Sequence, residues 1–531
     1  MLELAALSPS IGASLSWAAL RVLPRPNAGT GFMARARSTT SFRLWSTAFA
    51  VWIAVAACAS GEIDPSDLSG ASGTPAATSS GATGVNGANG AVSTGANGAS
   101  SSGAVGTGGG SSAAASGSGG ATGAASTTTG AGGAASTTTG TGGATGATST
   151  GAGGTGMGPT PPSATAQFPF PQNRKSERCT YPNYSNATVL AQYTRWKNTA
   201  VTSSGADGNL RVAEFQEDRP AANSDTFSEG VAYGMLAAVY MDDQPTFDAL
   251  WKYSQARRNG NGFMHWKIGP SGNVLEMNGA TDADEDMAWA LLMAEEQWGG
   301  SGSVGTTYGQ LARDLIGHIW DHEVDHGGGN VLKPGDMFGG ANETNPSYFA
   351  PAYYRVFAQV TGQSGWNSVV DSSYNVLNAA ANGSTGLVPA WCSSGGGATR
   401  GGQEATYQFD ACRVPWRIAM DYCWNGETRA KAYLDRVSAF FSGQGAANIW
   451  DGYNLDGSPS SFSGSKENMA FIGTAGVGAT ATTNATFVQQ TYDQLLVLGN
   501  RSDFAYRYYA ASMGMLSMLF FSGQLIDYTK Y

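Results

Sequence analysis

From Ala59 to Thr165 the chain runs for 107 residues with 30 glycines, three charges (Glu62, Asp64, Asp67) and no aromatic ring. Such a stretch has too little apolar surface to offset the entropy lost on ordering. It reads as a flexible tether, and TTTGAGGAASTTTGTGG at 127–143 is low-complexity sequence and not a structural repeat. The tract divides the 531 residues into an N-terminal extension, 1–58, the linker, 59–165, and a folding unit, 166–531. The last is large for one core, but repeated-helix and barrel architectures reach that size as single domains. A tether of this kind would hold a domain off a surface and let it search an insoluble or polymeric target.

Within 1–58, Arg35, Arg37 and Arg43 precede an apolar stretch from Leu44 to Ala57. That is short for a membrane span and fits the hydrophobic region of a signal peptide. The stretch ends Val55-Ala56-Ala57-Cys58, which resembles a bacterial lipobox. The expectation is translation from Met33, export, and a lipid on Cys58 that anchors the protein to a membrane at the cell surface, with ordinary secretion as the alternative. Four cysteines remain, Cys179, Cys392, Cys412 and Cys423. Cys412 and Cys423 are eleven residues apart in one helix pattern, about 16 Å of rise, too far for a bridge. With no CxxC pair, few or no disulfides and no structural zinc are expected.

The folding unit carries 24 Lys and Arg against 35 Asp and Glu. An acidic domain without a basic run argues against nucleic acid as partner but permits a neutral polymer. It also holds eleven of the 14 tryptophans; half or more should fill the core and the rest line a groove. Apolar residues at three- and four-residue spacing predict helices over Asn186–Ser203, Glu229–Tyr240, Pro245–Arg258, Asp284–Trp298, Thr307–Trp320, Phe349–Thr361, Trp366–Asn382, Val414–Trp424, Glu427–Ser442, Ala481–Leu498 and Tyr506–Gly523. Strand-like alternation is confined to short runs such as Phe263–Ile268, and the buried Val/Ile runs of a parallel sheet are missing. An all-α helical toroid with a cleft among the loops at one end is the expected fold. Nothing in the sequence signals association, so a monomer is the default.

Four constellations could carry chemistry. In SDTFSEGVAYGM (224–235), Glu229 opens an apolar helix beside Gly230, with Tyr233 one turn on. Desolvation there would raise its pKa, as a general acid requires, although alone it reads more simply as a glutamate favouring the helix dipole. In GATDADEDMAWALLMAEEQW (279–298), four acids crowd into five positions, Asp282, Asp284, Glu285 and Asp286. Thr281 is a candidate cap with Asp284 three residues on; one or two acids should face inward and the others water. The glycine and terminal glutamate of an EF-hand are missing. In YQFDACRVPWRIAMDYCW (407–424), Asp410 stands three residues before Arg413, whose guanidinium would keep a general base ionised; a purely structural pair is the plainer reading. Lastly, His322-Glu323-Val324-Asp325-His326 matches HExxH, with His318 four residues upstream. Gly327-Gly328-Gly329 would end that helix at the second ligand, so helix-terminal histidines are expected and not a zinc protease. No cofactor motif appears.

Taken in order, SEGVAYGM (228–235), GFMHWKI (262–268), ATDADEDMAWALLMAEEQW (280–298), LKPGDMFGGANETNPSYFAPAYYRVF (332–357), GLVPAWC (386–392) and YQFDACRVPWR (407–417) resemble the motifs of glycoside hydrolase family 8, in particular its bacterial endoglucanases. The resemblance runs from about Phe168 to the end of the chain. It implies an (α/α)6 barrel and hydrolysis of a β-1,4-linked glucan, xylan or chitosan with inversion, without metal or cofactor. By motif, Glu229 resembles the general acid and Asp410 the general base. Asp282 resembles the residue that holds the sugar in a distorted ring. Tyr348 and Arg413 resemble supporting residues, and Trp266 a stacking platform. Phe338 stands where the endoglucanase relatives are expected to have tryptophan, which leaves the substrate open. Asp410 argues against the chitosanase branch, which lacks an aspartate there. A glycine-rich loop just before Asp410 is expected to be mobile. The leading expectation is a tethered endo-β-1,4-glucanase. Alternatives are an endo-β-1,4-xylanase on the same fold and an inactive carbohydrate-binding lipoprotein.

Overall fold

The computed structural model describes residues 166–216, 220–501 and 507–531; the expectations on Met33, Cys58 and the tether lie outside them. Twelve α-helices follow one another among the described residues. They are α1 (Asn186–Ala200), α2 (Ser228–Tyr240), α3 (Gln244–Gln255), α4 (Thr281–Trp298), α5 (Tyr308–His322), α6 (Pro351–Thr361), α7 (Trp366–Ala380), α8 (Val414–Asn425), α9 (Thr428–Gln444), α10 (Met469–Ala479), α11 (Ala485–Gly499) and α12 (Tyr508–Phe521). Odd-numbered helices form an outer ring and even-numbered helices an inner one. Inner helices pack on one another and on outer neighbours, and α12 closes the ring against α1 and α2.

Burial distinguishes the rings. In α2, 12 of 13 residues are buried, in α4 16 of 18, and in α10 all 11. A helix apolar on every side is enclosed by other helices. The outer α1 and α9 instead bury six residues each, along one stripe. Starts are fixed locally: Asp243 accepts from Thr246 N ahead of α3, Thr307 from Gln310 N ahead of α5, and Asn468 from Ala470 N ahead of α10, the positions where such side chains satisfy unpaired N–H groups. Glu229, Asp282 and Tyr508 all lie in the first turn of inner helices. This end of the barrel therefore collects the positive ends of several helix dipoles.

The eleven helices expected from periodicity are all present. The one missed is α10, MAFIGTAGVGA. Burial on all sides erases its periodicity, and the glycines allow close packing: a Cβ on Gly476 would stand 2.1 Å from Thr491 Oγ1, and one on Gly478 2.7 Å from the Pro415 side chain. Strands are short and antiparallel: β1 (Val201–Thr202) with β2 (Arg211–Val212), β3 (Thr226–Phe227) with β4 (Lys267–Ile268) and β5 (Val274–Glu276), and β6 (Val324–Asp325) with β7 (Val331–Leu332). The middle sheet pairs Phe227 with Lys267 and so sets Trp266 beside the start of α2. Seven of the eleven tryptophans are buried, in line with a mainly core role.

Cysteine chemistry is settled by a partner that spacing could not identify. Cys179, ahead of α1, is bonded to Cys423 on α8, 244 residues away, with Cα atoms 5.7 Å apart. Cys392 and Cys412 are free and buried.

Candidate active site

The centre of the site is one guanidinium. Arg413 sits immediately before α8 and is 1% exposed. Its Nη1 donates to Glu229 Oε2 (3.2 Å), to Tyr233 Oη (2.8 Å) and to Asp282 Oδ2. Its Nη2 donates to Ser347 Oγ at 3.1 Å and lies 3.8 Å from Asp410 Oδ1. The Tyr348 ring covers it, with the guanidinium carbon 5.1 Å from the ring centroid. A cation this deeply buried requires charge partners. The carboxylates of three sequence-distant motifs meet around it.

Each carboxyl has a different surrounding. Glu229 is half-buried at the second position of α2. Its Oε1 accepts from Tyr508 Oη at 3.1 Å, and its Oε2 also accepts from Tyr233 Oη at 3.4 Å. Burial pushes its pKa up to about 7; Arg413 opposes the rise, and Asp282 and Asp410 add to it. Asp282 is 3% exposed and is held by Arg413. The Asp410 side chain is 39% exposed, positioned by Gln408, whose Nε2 donates to Oδ2 at 3.3 Å and whose Oε1 accepts from Asp410 N at 3.0 Å. The site thus pairs a desolvated carboxyl near neutrality with an accessible one facing water.

Aromatic rings surround this set. Trp266 stacks on Phe227 at 5.9 Å with 11° between planes, and Phe227 leans on Tyr508 at 6.0 Å. Phe338 is 44% exposed and lies 6.2 Å from Trp391, which meets Tyr348 edge-on at 6.4 Å. The glycine-rich loop ahead of Asp410 is tied at Arg400, whose guanidinium covers Trp391 at 3.7 Å and forms a bidentate pair with Glu343 at 2.7 and 3.1 Å.

The structure gathers Glu229, Asp282, Tyr348, Asp410 and Arg413 into one cluster, with Trp266 and Phe338 outward of it. Two expectations are corrected. All four acids of the 282–286 run are buried, not one or two. Arg413 takes Asp282, Arg417 binds Asp286 at 2.5 and 3.0 Å and approaches Glu285 at 3.4 Å, and Asp284 faces Glu323. Nor does Thr281 cap the helix: it is the first helical residue, and Ala280 precedes it without a side-chain cap.

The HExxH residues are accounted for otherwise. Glu323 is fully buried; burial and the neighbouring Asp284 push its carboxyl well above the usual range. His318 and His322 pack edge-on against Phe263 at 6.2 Å. His326 places its ring nitrogens 3.0 Å from Asn330 Oδ1 and 2.9 Å from Trp320 O. Among the described residues no three His, Cys, Asp or Glu side chains are grouped to hold a metal ion. Sequence reasoning missed Tyr508, Gln408 and Ser347. The first carries no motif at all; Gln408 and Ser347 lie inside motifs but as uncharged residues beside more conspicuous neighbours.

Comparison with known proteins gives this geometry a context. Residues 168–523 match the family model for glycosyl hydrolases family 8. Endoglucanase A of Acetivibrio thermocellus is 42% identical over 349 residues, covering 64% of this chain and 70% of that protein. The solved beta-1,3-1,4-glucanase of Paenibacillus sp. X4, an apo structure, superposes with a TM-score of 0.60 at 31% identity, over 68% of this chain and 99% of that one. More distant is a reducing end xylose-releasing exo-oligoxylanase of Halalkalibacterium halodurans, 26% identical over 57% of this chain and 80% of that protein.

Proposed function

The chain belongs to family 8 of the glycosyl hydrolases, and from that premise we propose that it is an inverting endo-β-1,4-glucanase with Glu229 as general acid and Asp410 as general base. The observation that carries the reading is Arg413, which touches Glu229 at 3.2 Å through one terminal nitrogen and approaches Asp410 at 3.8 Å through the other. With the width of one guanidinium between those contacts, the nearest carboxyl oxygens are at most about 9 Å apart, compatible with the about 6.5–9.5 Å that leaves room for water between acid and base.

The chemistry follows from the two environments. Glu229 holds its proton near neutral pH because burial disfavours its charge. It gives that proton to the glycosidic oxygen as the C1–O bond breaks. Asp410 takes a proton from the water that attacks C1 from the opposite face, and the anomeric configuration inverts. Asp282, fixed by Arg413, offers its free oxygen to sugar hydroxyls. A bond that tightens as the ring flattens stabilises the transition state more than the ground state. Trp266 and Phe338 supply faces on which the apolar side of a neutral sugar can lie. Arg413 fixes the Asp282 carboxyl and holds Glu229 in place while its charge changes.

The full chain is expected to release reducing ends from carboxymethyl cellulose or mixed-linkage β-glucan faster than from xylan or chitosan. Hydrolysis of none of them would remove the enzymatic reading in favour of an inactive binding protein. Preference for xylan is the second reading, favoured by the oligoxylanase relative and by Phe338 in place of an expected tryptophan; higher turnover on xylan would establish it.

Export and anchoring through Cys58 are proposed on the apolar stretch and the Val-Ala-Ala-Cys ending alone. In a bacterial host the protein is then expected in the membrane fraction, with C58S recovered soluble. Equal partitioning of both forms would leave ordinary secretion.

A further inference from the structure

Glu229 has two carboxyl oxygens, and the barrel treats them differently. Oε2 faces Arg413 and Tyr233. A guanidinium nitrogen is always a donor, so this oxygen holds negative charge readily and a proton poorly. Oε1 faces a single hydroxyl, that of Tyr508, at 3.1 Å. Tyr508 is the first residue of α12, 279 positions along the chain, and is 5% exposed.

The neighbouring glycine is shaped to this contact. A Cβ on Gly230 would lie 2.6 Å from Tyr508 Oη and 2.9 Å from its Cε2, closer than any real side chain tolerates. The hydroxyl thus occupies the space that a side chain at 230 would fill. Phe227 packs on the Tyr508 ring at 6.0 Å and Tyr508 N donates to Phe215 O at 3.3 Å, so ring and backbone are both held. The groups facing Glu229 are Tyr233 on its own helix, Asp282 on α4, Tyr348 ahead of α6, Asp410 and Arg413 ahead of α8, and Tyr508 on α12. Cys412 and Tyr509 stand farther back, and Glu214 is the next carboxylate beside Tyr508.

We infer that Tyr508 is a positioning residue that makes Oε1 the proton-delivering oxygen of Glu229, its O–H donating to that oxygen as the proton departs. The inference rests on Glu229 being the general acid. In the step, the Glu229 O–H bond breaks and a bond forms between that proton and the glycosidic oxygen; the C1–O electron pair stays with the leaving group. Tyr508 keeps its own proton and turns it onto the new carboxylate. A donor to the ionised form lowers the acid's pKa. Removing it therefore makes Glu229 a weaker acid that stays protonated to higher pH.

The test is the pH profile of kcat/KM for the full-length Y508F enzyme on soluble β-glucan, beside the parent and E229Q. The alkaline limb is expected to move up by about one pH unit, on the scale of a hydrogen bond to a charged group. kcat should fall about tenfold and KM should hold within about twofold. 3-Fluorotyrosine at 508, a stronger donor of nearly the same size, should move the limb down, and it stands in for Y508F if that variant does not fold. Limbs superimposable on the parent's, with E229Q inactive, overturn the role of Tyr508 while leaving the acid in place. An active E229Q overturns both readings.

Discussion

Replacing Glu229 with Gln is expected to lower kcat on unactivated β-glucan by about 10²–10⁴-fold, with KM little changed. Gln keeps the shape; its amide oxygen can accept from Arg413 while its amide nitrogen donates to the Tyr508 hydroxyl, so sugar binding and the wall of the cleft survive; what is lost is the proton. The parent should lose kcat/KM as pH rises through about 7, because burial holds the Glu229 carboxyl there and only its protonated form can act. The sign is fixed by the role: an acid works below its pKa and fails above it. E229Q should lack that alkaline limb. An aryl β-cellobioside with an acidic phenol supplies a second check, since such a leaving group departs without protonation. The deficit of E229Q should shrink to less than about tenfold on it. A deficit equally large on both substrates, or an unchanged alkaline limb, would mean that Glu229 is not the acid.

What made the site legible was locality. Asp410 and Arg413 are three residues apart, and the 280–298 segment holds four of its acids, 282–286, within one helical turn and a half, so both announced themselves as groups before any fold was known. The other even-numbered helices were legible as helices, but not as an inner ring, for the same reason that α10 escaped notice altogether: burial on every side removes the periodicity that separates core from solvent. The four acids of α4 illustrate the limit further. Sequence alone treats a carboxylate run as a solvated face, whereas here Arg413, just ahead of α8, and Arg417, one turn on within it, reach across the barrel to take Asp282, Glu285 and Asp286. That pairing joins residues 131 apart. The Cys179–Cys423 bond and the Tyr508–Glu229 contact span 244 and 279 residues. The Tyr508–Glu229 contact depends on ring closure, in which the last helix returns to α1 and α2, and no local pattern encodes any of these long-range pairings. The HExxH match failed for the opposite reason: its residues are close in sequence, yet Glu323 turns inward to Asp284 while the histidines meet Phe263 and a β6–β7 turn.

Asp410 supplies the test that separates the inverting mechanism from every reading in which it only holds Arg413. D410N preserves the hydrogen bonds with Gln408 in outline and leaves Arg413 with Asp282 and Glu229 as partners, so the fold and the acid remain. Water is then no longer deprotonated as it attacks, and kcat is expected to fall by about 10²–10⁴-fold at all pH values. Azide is a nucleophile that needs no base. Admitted to the space beside residue 410, where the parent side chain is 39% exposed, it should restore turnover of a β-glycoside and yield the α-glycosyl azide, because it enters on the face opposite the leaving group. NMR of the product distinguishes the outcomes. The α-azide places Asp410 beside the attacking nucleophile. A β-azide would require a covalent intermediate on a carboxylate still present in D410N, Asp282, and hence acid and nucleophile carboxyls only about 5–5.5 Å apart. Failure of azide to rescue, with a D410N enzyme that still melts like the parent, would move Asp410 from base to scaffold and leave the activation of water to another group near Tyr348.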